Sequence, residues 1–289
     1  MYPASFEYFA PTKLVEVTEI LGSYDGDAKV LAGGQSLIPM MKLRFAAPGA
    51  LVDVNGVSEL GTLTEENGGL RIGALTRHKA AEKSELLHGR FGVLGAAAPL
   101  ISDPIVRNLG TVCGSIAHAD PQGDWGSVML AIGADLEVNG AGGTRTIPIE
   151  EFFVAPFMTT LQPDEIITAI LVRDPGQNAG GTYLKLERKV GDFATAAVAV
   201  HVSFSNGTVG RAGIGLTGVG GTNIKATAAE DALAGAKLDD STIKEAARLA
   251  AEAAEPQDDL RGTAEYKRNV VRVFTERGLR RVAEGRSHD

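Results

Sequence analysis

The sequence predicts an α+β fold in three successive parts, on three observations. Strand-like and helix-like runs follow one another in uneven order, not in the regular alternation of a doubly wound sheet. Two glycine-centred segments, Leu31-Ala-Gly-Gly-Gln-Ser-Leu-Ile38 and Arg107-Asn-Leu-Gly-Thr-Val-Cys-Gly-Ser-Ile-Ala-His-Ala-Asp-Pro-Gln-Gly-Asp124, interrupt them. Asn206-Gly207, between two long apolar runs, is a strong hairpin signal and marks an antiparallel sheet near the C-terminus. At 289 residues, 44% of them hydrophobic, the chain is long for one core, and its expected parts are 1–56, 57–175 and 176–289.

The elements follow in order. From Thr12, read as an N-cap, Leu14, Val15, Val17, Ile20 and Leu21 recur at helical spacing until Gly22 stops the run. Residues 29–31 and 50–54 read as short buried strands around the first glycine segment, a small βαβ-like unit. In the middle part, 70–75 reads as a strand, Thr76 caps a short helix, and the alanine-rich 94–100 is a buried helix end leading to Asp103-Pro104 and the second glycine segment. Residues 127–133 then read as a helix, and 135–138, 145–149 and 165–172 as strands. The last part opens on the turn-rich 174–181. Its strand 196–204 passes through Asn206-Gly207 into 209–217, and helices near 226–234, 241–254 and 263–281 follow. Val270, Val271, Phe274 and Leu279 form the inner face of the last helix.

Composition excludes several function classes. A formal charge of −8 without any dense Lys/Arg block argues against a nucleic-acid partner, whose affinity would be mostly electrostatic. One cysteine, Cys113, excludes an internal disulfide framework and an iron–sulfur cluster held by this chain alone. The start lacks the basic and apolar regions of a signal peptide, and no apolar run approaches the ~20 residues of a spanning helix. A cytoplasmic protein without membrane insertion is expected.

Both glycine segments read as backbone anion cradles, because glycines let the chain approach a ligand and bare N–H groups converge, with Ser, Thr or Gln to help. Ordinary turns are the alternative, since 36 glycines produce Gly-Gly pairs by chance, but the pair together favours a dinucleotide diphosphate. Gly213-Ile-Gly-Leu-Thr-Gly218 matches G-x-G-x-x-G, yet it lies within a strand of the hairpin and not at a strand-to-helix turn, so it reads as flat packing against a neighbour. His78, His88, His118, His201 and His288 show no zinc-ligand spacing. Ser115, His118 and Asp120 have hydrolase residue types without a nucleophile elbow, and His118 reads as a loop hydrogen-bonder.

Leu31-Ala-Gly-Gly-Gln-Ser-Leu-Ile-Pro-Met-Met-Lys42, Arg107-Asn-Leu-Gly-Thr-Val-Cys-Gly-Ser115, Asp124 and Lys185-Leu-Glu-Arg-Lys-Val-Gly-Asp-Phe-Ala194 resemble the medium, FAD-binding subunit of the molybdenum hydroxylases, most closely the carbon monoxide dehydrogenase type. The resemblance runs end to end. It implies a two-subdomain FAD-binding fold of the PCMH/vanillyl-alcohol-oxidase type, with a C-terminal antiparallel sheet plus helices closing over the flavin side. The sequence departs from the family at Cys113-Gly114, where paired glycines are usual, and at Ser115, where Asn or Asp is common.

By the same resemblance, Ala32, Gly33, Gly34, Gln35, Ser36 and Leu37 and, from the second segment, Thr111, Val112, Cys113, Gly114 and Ser115 contact FAD, mainly its diphosphate. Asp124 holds ribose or ribityl hydroxyls, with a helix N-cap as the plain alternative. Lys185 lies near the pyrimidine edge of the flavin, or is a solvated strand lysine. Phe193 packs on the ring, or is a core side chain starting a strand. Ile101, and Ile167 or its neighbour Ile166, pack against the cofactor. Cys113 is a small buried apolar group, not a redox thiol. The implied partners are a small subunit with [2Fe-2S] clusters and a large subunit with the molybdenum cofactor, as a dimer of heterotrimers in the cytoplasm or at the inner face of the membrane. Substrate and electron acceptor stay open. The alternatives are a self-sufficient FAD-dependent oxidoreductase of the same fold and a non-enzymatic assembly module.

Overall fold

The computed structural model describes residues 2–285, so His288 lies outside the described residues. The N-terminal part contains β1 (Glu7–Phe9), α1 (Leu14–Ser23), β2 (Ala28–Leu31), α2 (Leu37–Lys42) and β3 (Ala50–Asp53). Its strands form a parallel sheet in the order β1-β3-β2. Thr12 does not cap α1. Lys13 holds that position, and the Glu16 carboxylate accepts from the amides of both Thr12 and Lys13, so an acidic side chain inside the helix sets its start. Nor does Gly22 stop it, for the helix continues to Ser23.

The middle part runs through β4 (Leu63–Glu66), β5 (Gly69–Gly73), α3 (His78–Lys83), α4 (Gly92–Ala97), α5 (Pro104–Leu109), α6 (Val112–His118), α7 (Asp124–Ile132), β6 (Asp135–Gly140), β7 (Gly143–Pro148), β8 (Phe153–Ala155), β9 (Met158–Thr159) and β10 (Ile166–Val172). Its main sheet is antiparallel, in the order β4-β5-β10-β6-β7. Thr76 does not cap α3: Arg77 is the N-cap, and the Thr76 hydroxyl donates to the Thr62 carbonyl at 3.2 Å. The second glycine segment is not a loop throughout, since α6 forms within it. Helix α7 starts three residues before the expected Ser127, and all its residues are buried, so no apolar stripe marks its ends.

The C-terminal part holds β11 (Ala179–Leu186), β12 (Ala196–Ser205), β13 (Thr208–Thr217), β14 (Ile224–Lys225), α8 (Thr227–Leu233), α9 (Asp240–Ala253) and α10 (Ala264–Ala283). The strands form an antiparallel sheet in that order. Asn206 and Gly207, at φ of 52° and 80°, both take the left-handed conformation of a type I′ turn. Strand β12 is buried on both faces. Val198, Val200 and Val202 join the core with α9 and α10, while Ala197 and Ala199 join the core of the middle part.

That second face explains the G-x-G-x-x-G run. A Cβ on Gly213 would sit 1.8 Å from the Ala131 carbonyl oxygen, and one on Gly215 would sit 1.9 Å from that of Ser127. The glycines let α7 lie directly on β13, and no strand-to-helix turn occurs there.

Candidate functional site

The first glycine segment leaves β2 and reaches α2 through Gly34, at φ +70°. Among the described residues, the amides of Gly33, Gly34, Gln35 and Ser36 make no hydrogen bond within the protein. Ser36 is the N-cap of α2, but its hydroxyl makes no capping bond. The Gln35 side chain donates to the Gly33 carbonyl at 3.2 Å. Leu37 is the first residue of α2, and Ala32 is half-buried at the end of β2.

The two segments lie against each other. A Cβ on Gly33 would stand 2.4 Å from the Leu109 carbonyl oxygen and 2.7 Å from Gly110 Cα, so glycine is required for the contact. In the second segment Thr111 caps α6, its hydroxyl accepting from the Gly114 amide at 3.2 Å. Val112 N donates to Thr76 O at 3.0 Å, and Ser115 N to Thr111 O at 3.1 Å. Of the amides of residues 112–115 only that of Cys113 has no partner among the described residues, so most free donors belong to the first segment. The side chains of Val112 and Cys113 point into the core. Burial pushes the Cys113 thiol up to about 12, which makes it an inert apolar group. Gly114 is exposed, and a Cβ there would come 2.5 Å from the Thr111 hydroxyl.

Asp124 and Lys185 meet in a buried cluster. The Lys185 ammonium donates to Asp124 Oδ2 at 3.0 Å and to the Leu100 carbonyl at 2.9 Å, and pairs with Glu187 Oε2 at 3.4 Å. The Tyr183 hydroxyl donates to Asp124 Oδ1 at 2.6 Å. Asp124 is not an N-cap, since Gly123 holds that position. The lysine is not solvated, its side chain being 2% exposed. Burial raises the Asp124 carboxyl above its ordinary value, against the lowering by Lys185 and the Tyr183 hydroxyl. The ammonium thus makes two hydrogen bonds, to Asp124 and Leu100, and has Glu187 as a further ionic neighbour.

Phe193 is neither a core residue nor the start of a strand. It is 51% exposed in the loop between β11 and β12. That loop is braced where Gly191 N donates to Glu187 Oε1 at 3.3 Å and where Arg261 donates to the Phe193 carbonyl at 2.6 Å and to Asp192 at 3.1 Å. Gly191 packs on Ser102 and Asp103, next to Ile101. Ile101, Ile166 and Ile167 are buried in the core of the first two parts. Tyr183 escaped the sequence reading because β11 did, and Glu187, just beyond that strand, stood in a quoted motif without a role. Tyr183, Lys185 and Glu187 stand at every second residue, the one signal that places them on a common face.

Residues 4–173 match the family described as the FAD binding domain in molybdopterin dehydrogenase, and residues 181–282 match the CO dehydrogenase flavoprotein C-terminal domain. The carbon monoxide dehydrogenase medium chain of Hydrogenophaga pseudoflava is 40% identical, the match covering 96% of this chain and 97% of that one. The glyceraldehyde dehydrogenase medium chain of Sulfolobus acidocaldarius is 34% identical over 98% of this chain and 100% of that one. Among solved structures, carbon monoxide dehydrogenase from Hydrogenophaga pseudoflava, in a form lacking the Mo-pyranopterin moiety of its cofactor, superposes with a TM-score of 0.95 at 42% identity and covers all of both chains. Quinoline 2-oxidoreductase from Pseudomonas putida 86 superposes with a TM-score of 0.91 at 30% identity, again over all of both chains. The chain is thus an FAD-carrying oxidoreductase subunit, and it belongs to the medium-subunit family of the molybdenum hydroxylases, in its carbon monoxide dehydrogenase branch.

Proposed function

We propose that this chain relays electrons within a molybdenum hydroxylase complex, from [2Fe-2S] centres on a small subunit to an external acceptor, while substrate is oxidised at the molybdenum cofactor of a large subunit. One observation carries the reading: four consecutive unpaired amides, Gly33 to Ser36, lie where the first glycine segment abuts the second. Such a row of donors on a short turn opened by two glycines suits a diphosphate. When bound, FAD supplies the capacity to take up electrons singly and to release them in pairs.

The chain's own residues bind, shield and tune. The amides of Gly33 to Ser36 and of Cys113 would hold the diphosphate, with Ala32, Leu37, Thr111, Val112, Gly114 and Ser115 shaping the walls. Lys185 would bias the site electrostatically from a nearly dry position, where a fixed charge is weakly screened. Asp124 reaches a sugar hydroxyl only through the lone pairs left free by Tyr183 and Lys185. Phe193 would cover one side of the ring from its braced loop, and Ile101 and Ile167 would line the inner wall. Medium chains among the relatives support a large and a small partner, and we assign a dimer of heterotrimers working in the cytoplasm or at the inner face of the membrane. No helix among the described residues is long and apolar enough to cross a membrane.

Native affinity purification tests all of this at once. A yellow complex is expected, with one FAD per copy of this chain, iron and molybdenum on two further chains, and a mass that reports the stoichiometry. A colourless preparation without releasable flavin refutes the reading. Turnover by the chain alone would replace it with a self-sufficient flavoenzyme.

A further inference from the structure

A polar clasp outside the glycine segments joins them. It starts at Asp53, the last residue of β3, whose carboxylate accepts from the Tyr8 hydroxyl at 2.6 Å and from the amide and side chain of Asn55 at 2.9 and 2.6 Å. Thus fixed, Asn55 donates from Nδ2 to the Ala32 carbonyl at 2.9 Å, and its Oδ1 accepts from Arg77 Nη2 at 2.5 Å. Nη1 of the same guanidinium donates to the Leu109 carbonyl. The Arg77 backbone is anchored at the same place, since it bridges to Thr111 and the next amide, His78 N, donates to Gly110 O at 2.9 Å. One planar group therefore ties the first segment, through Asn55, to the residue where Gly33 touches the second.

The contact between the segments is otherwise glycine against backbone. Among the described residues no other side chain links residues 32–37 to residues 109–115 by hydrogen bonds. A guanidinium suits the task because its donors diverge in a rigid plane, which an ammonium on a flexible stem does not reproduce. Two of its five N–H donors are used in the clasp, so the charge stays beside the unpaired amides of the first segment.

We propose that Arg77, held by Asn55, is a positioning residue that sets the spacing of the two segments, and with it their fit to the dinucleotide diphosphate. The proposal rests on the FAD-binding reading, and the test separates the two. Flavin-stripped complex would be titrated with FAD by fluorescence quenching, and the Tm of the flavin-free form measured alongside. Arg77→Met is expected to weaken FAD binding about 10- to 100-fold, with the flavin-free Tm close to that of the unmodified complex. Asn55→Ala is expected to weaken it less, and Asn55→Ala/Arg77→Met no further than Arg77→Met alone, because both belong to one clasp. Arg77→Lys keeps the charge without the fork and should recover only part of the loss.

Unmodified FAD affinity in Arg77→Met overturns the proposal, as do full recovery in Arg77→Lys, additive losses in the double variant, or a loss that tracks a fall in flavin-free Tm. If Arg77→Met does not fold, Asn55→Ala decides by the same affinity measurement. An unmodified complex that binds no FAD defeats the FAD-binding reading itself. One that binds it while the variants bind equally well defeats only the clasp.

Discussion

Replacing Lys185 with Met removes the one cation from a cluster holding two carboxylates. The three side chains, Lys185, Asp124 and Glu187, are 2%, 8% and 19% exposed. After the change Asp124 keeps the Tyr183 hydroxyl at 2.6 Å, while Glu187 Oε2, already buried without a hydrogen bond, loses its ionic neighbour at 3.4 Å. Breaking a buried pair from one side costs about 3–5 kcal/mol, because the remaining charge stays out of water. For a chain of this size the Tm should fall on the order of 10 °C. The pH dependence identifies the cause. Burial already raises Asp124 above its ordinary value of 3.8 while Lys185 pulls it down, so losing the lysine raises it further. A carboxyl whose folded value lies above its unfolded value holds its proton more tightly when folded. Its penalty is therefore absent below the unfolded value and complete above the folded one. The Tm deficit of Lys185→Met should shrink as pH falls from neutrality towards the unfolded carboxyl value of 3.8, and Lys185→Met/Asp124→Asn should regain much of it near neutrality. Calorimetric scans across that range are the assay. A variant that melts with the unmodified protein at every pH, or whose deficit grows on acidification, refutes the ion-pair argument.

In the same Lys185→Met variant the flavin midpoint potential should fall, since a cation that favours the reduced form is gone, and an unchanged redox titration would contradict that role. Gly33→Val and Gly114→Val should both lose flavin, the first by forcing the segments apart at Leu109 and the second by displacing the Thr111 hydroxyl from its cap; full occupancy in either contradicts the cradle. Cys113 should resist alkylation in the native protein and react on unfolding, so rapid native labelling would refute its place in the core. His78 and His201 are both held down to about 4 by burial. Being neutral when folded, they contribute stability that is complete above the unfolded value of 6.5 and is lost as pH falls towards 4, each up to roughly 3 kcal/mol; an undiminished acid slope in His201→Leu would be the contrary result. Gly215→Ala places a Cβ 1.9 Å from the Ser127 carbonyl and should cost several kcal/mol by lifting α7 off the sheet, and a Tm equal to that of the unmodified protein would show that α7 does not bear on it.

The legible parts of the fold were those with local signals. The Asn206-Gly207 turn and its strands needed only a left-handed dipeptide between two long apolar runs, and α10 showed one-sided apolar spacing. Strand β1 and helix α2 were not anticipated because each is short. Helix α6 was hidden because its sequence, Val-Cys-Gly-Ser-Ile-Ala-His, contains the glycine that suggested a loop, and Thr111 and packing decide the outcome. At the site, glycines revealed the two segments, since a backbone requirement leaves a mark on composition. The partners of Asp124 and the Arg77 clasp left none. Arg77 lies 45 residues from Ala32 and 32 from Leu109, and only the fold makes it their neighbour.

The buried cluster also bears on what the C-terminal part is for. Asp124 and the Leu100 carbonyl come from the middle part, whereas Lys185 and Tyr183 come from β11 and Glu187 directly follows it, so the ion pair exists only when the two are joined. Helix α7 starts at Asp124 and is pressed on β13 through Gly213 and Gly215, with its position along the strand fixed by polar contacts. Thr217 donates to the Ser127 hydroxyl at 2.5 Å, and Asn223 Nδ2 donates to Gly123 O at 3.0 Å and to Thr217 at 3.1 Å. Glycines set how close the helix comes, and hydroxyls and an amide set where it stops. Tyr183, Ala194, Ala197 and Ala199 share one continuous core with the first two parts. Separating the parts would open apolar surface and strand a buried carboxylate together. On the proposed reading the C-terminal sheet would be a wall of the cofactor site, and the charge it contributes would influence the flavin only as long as the seam stays closed.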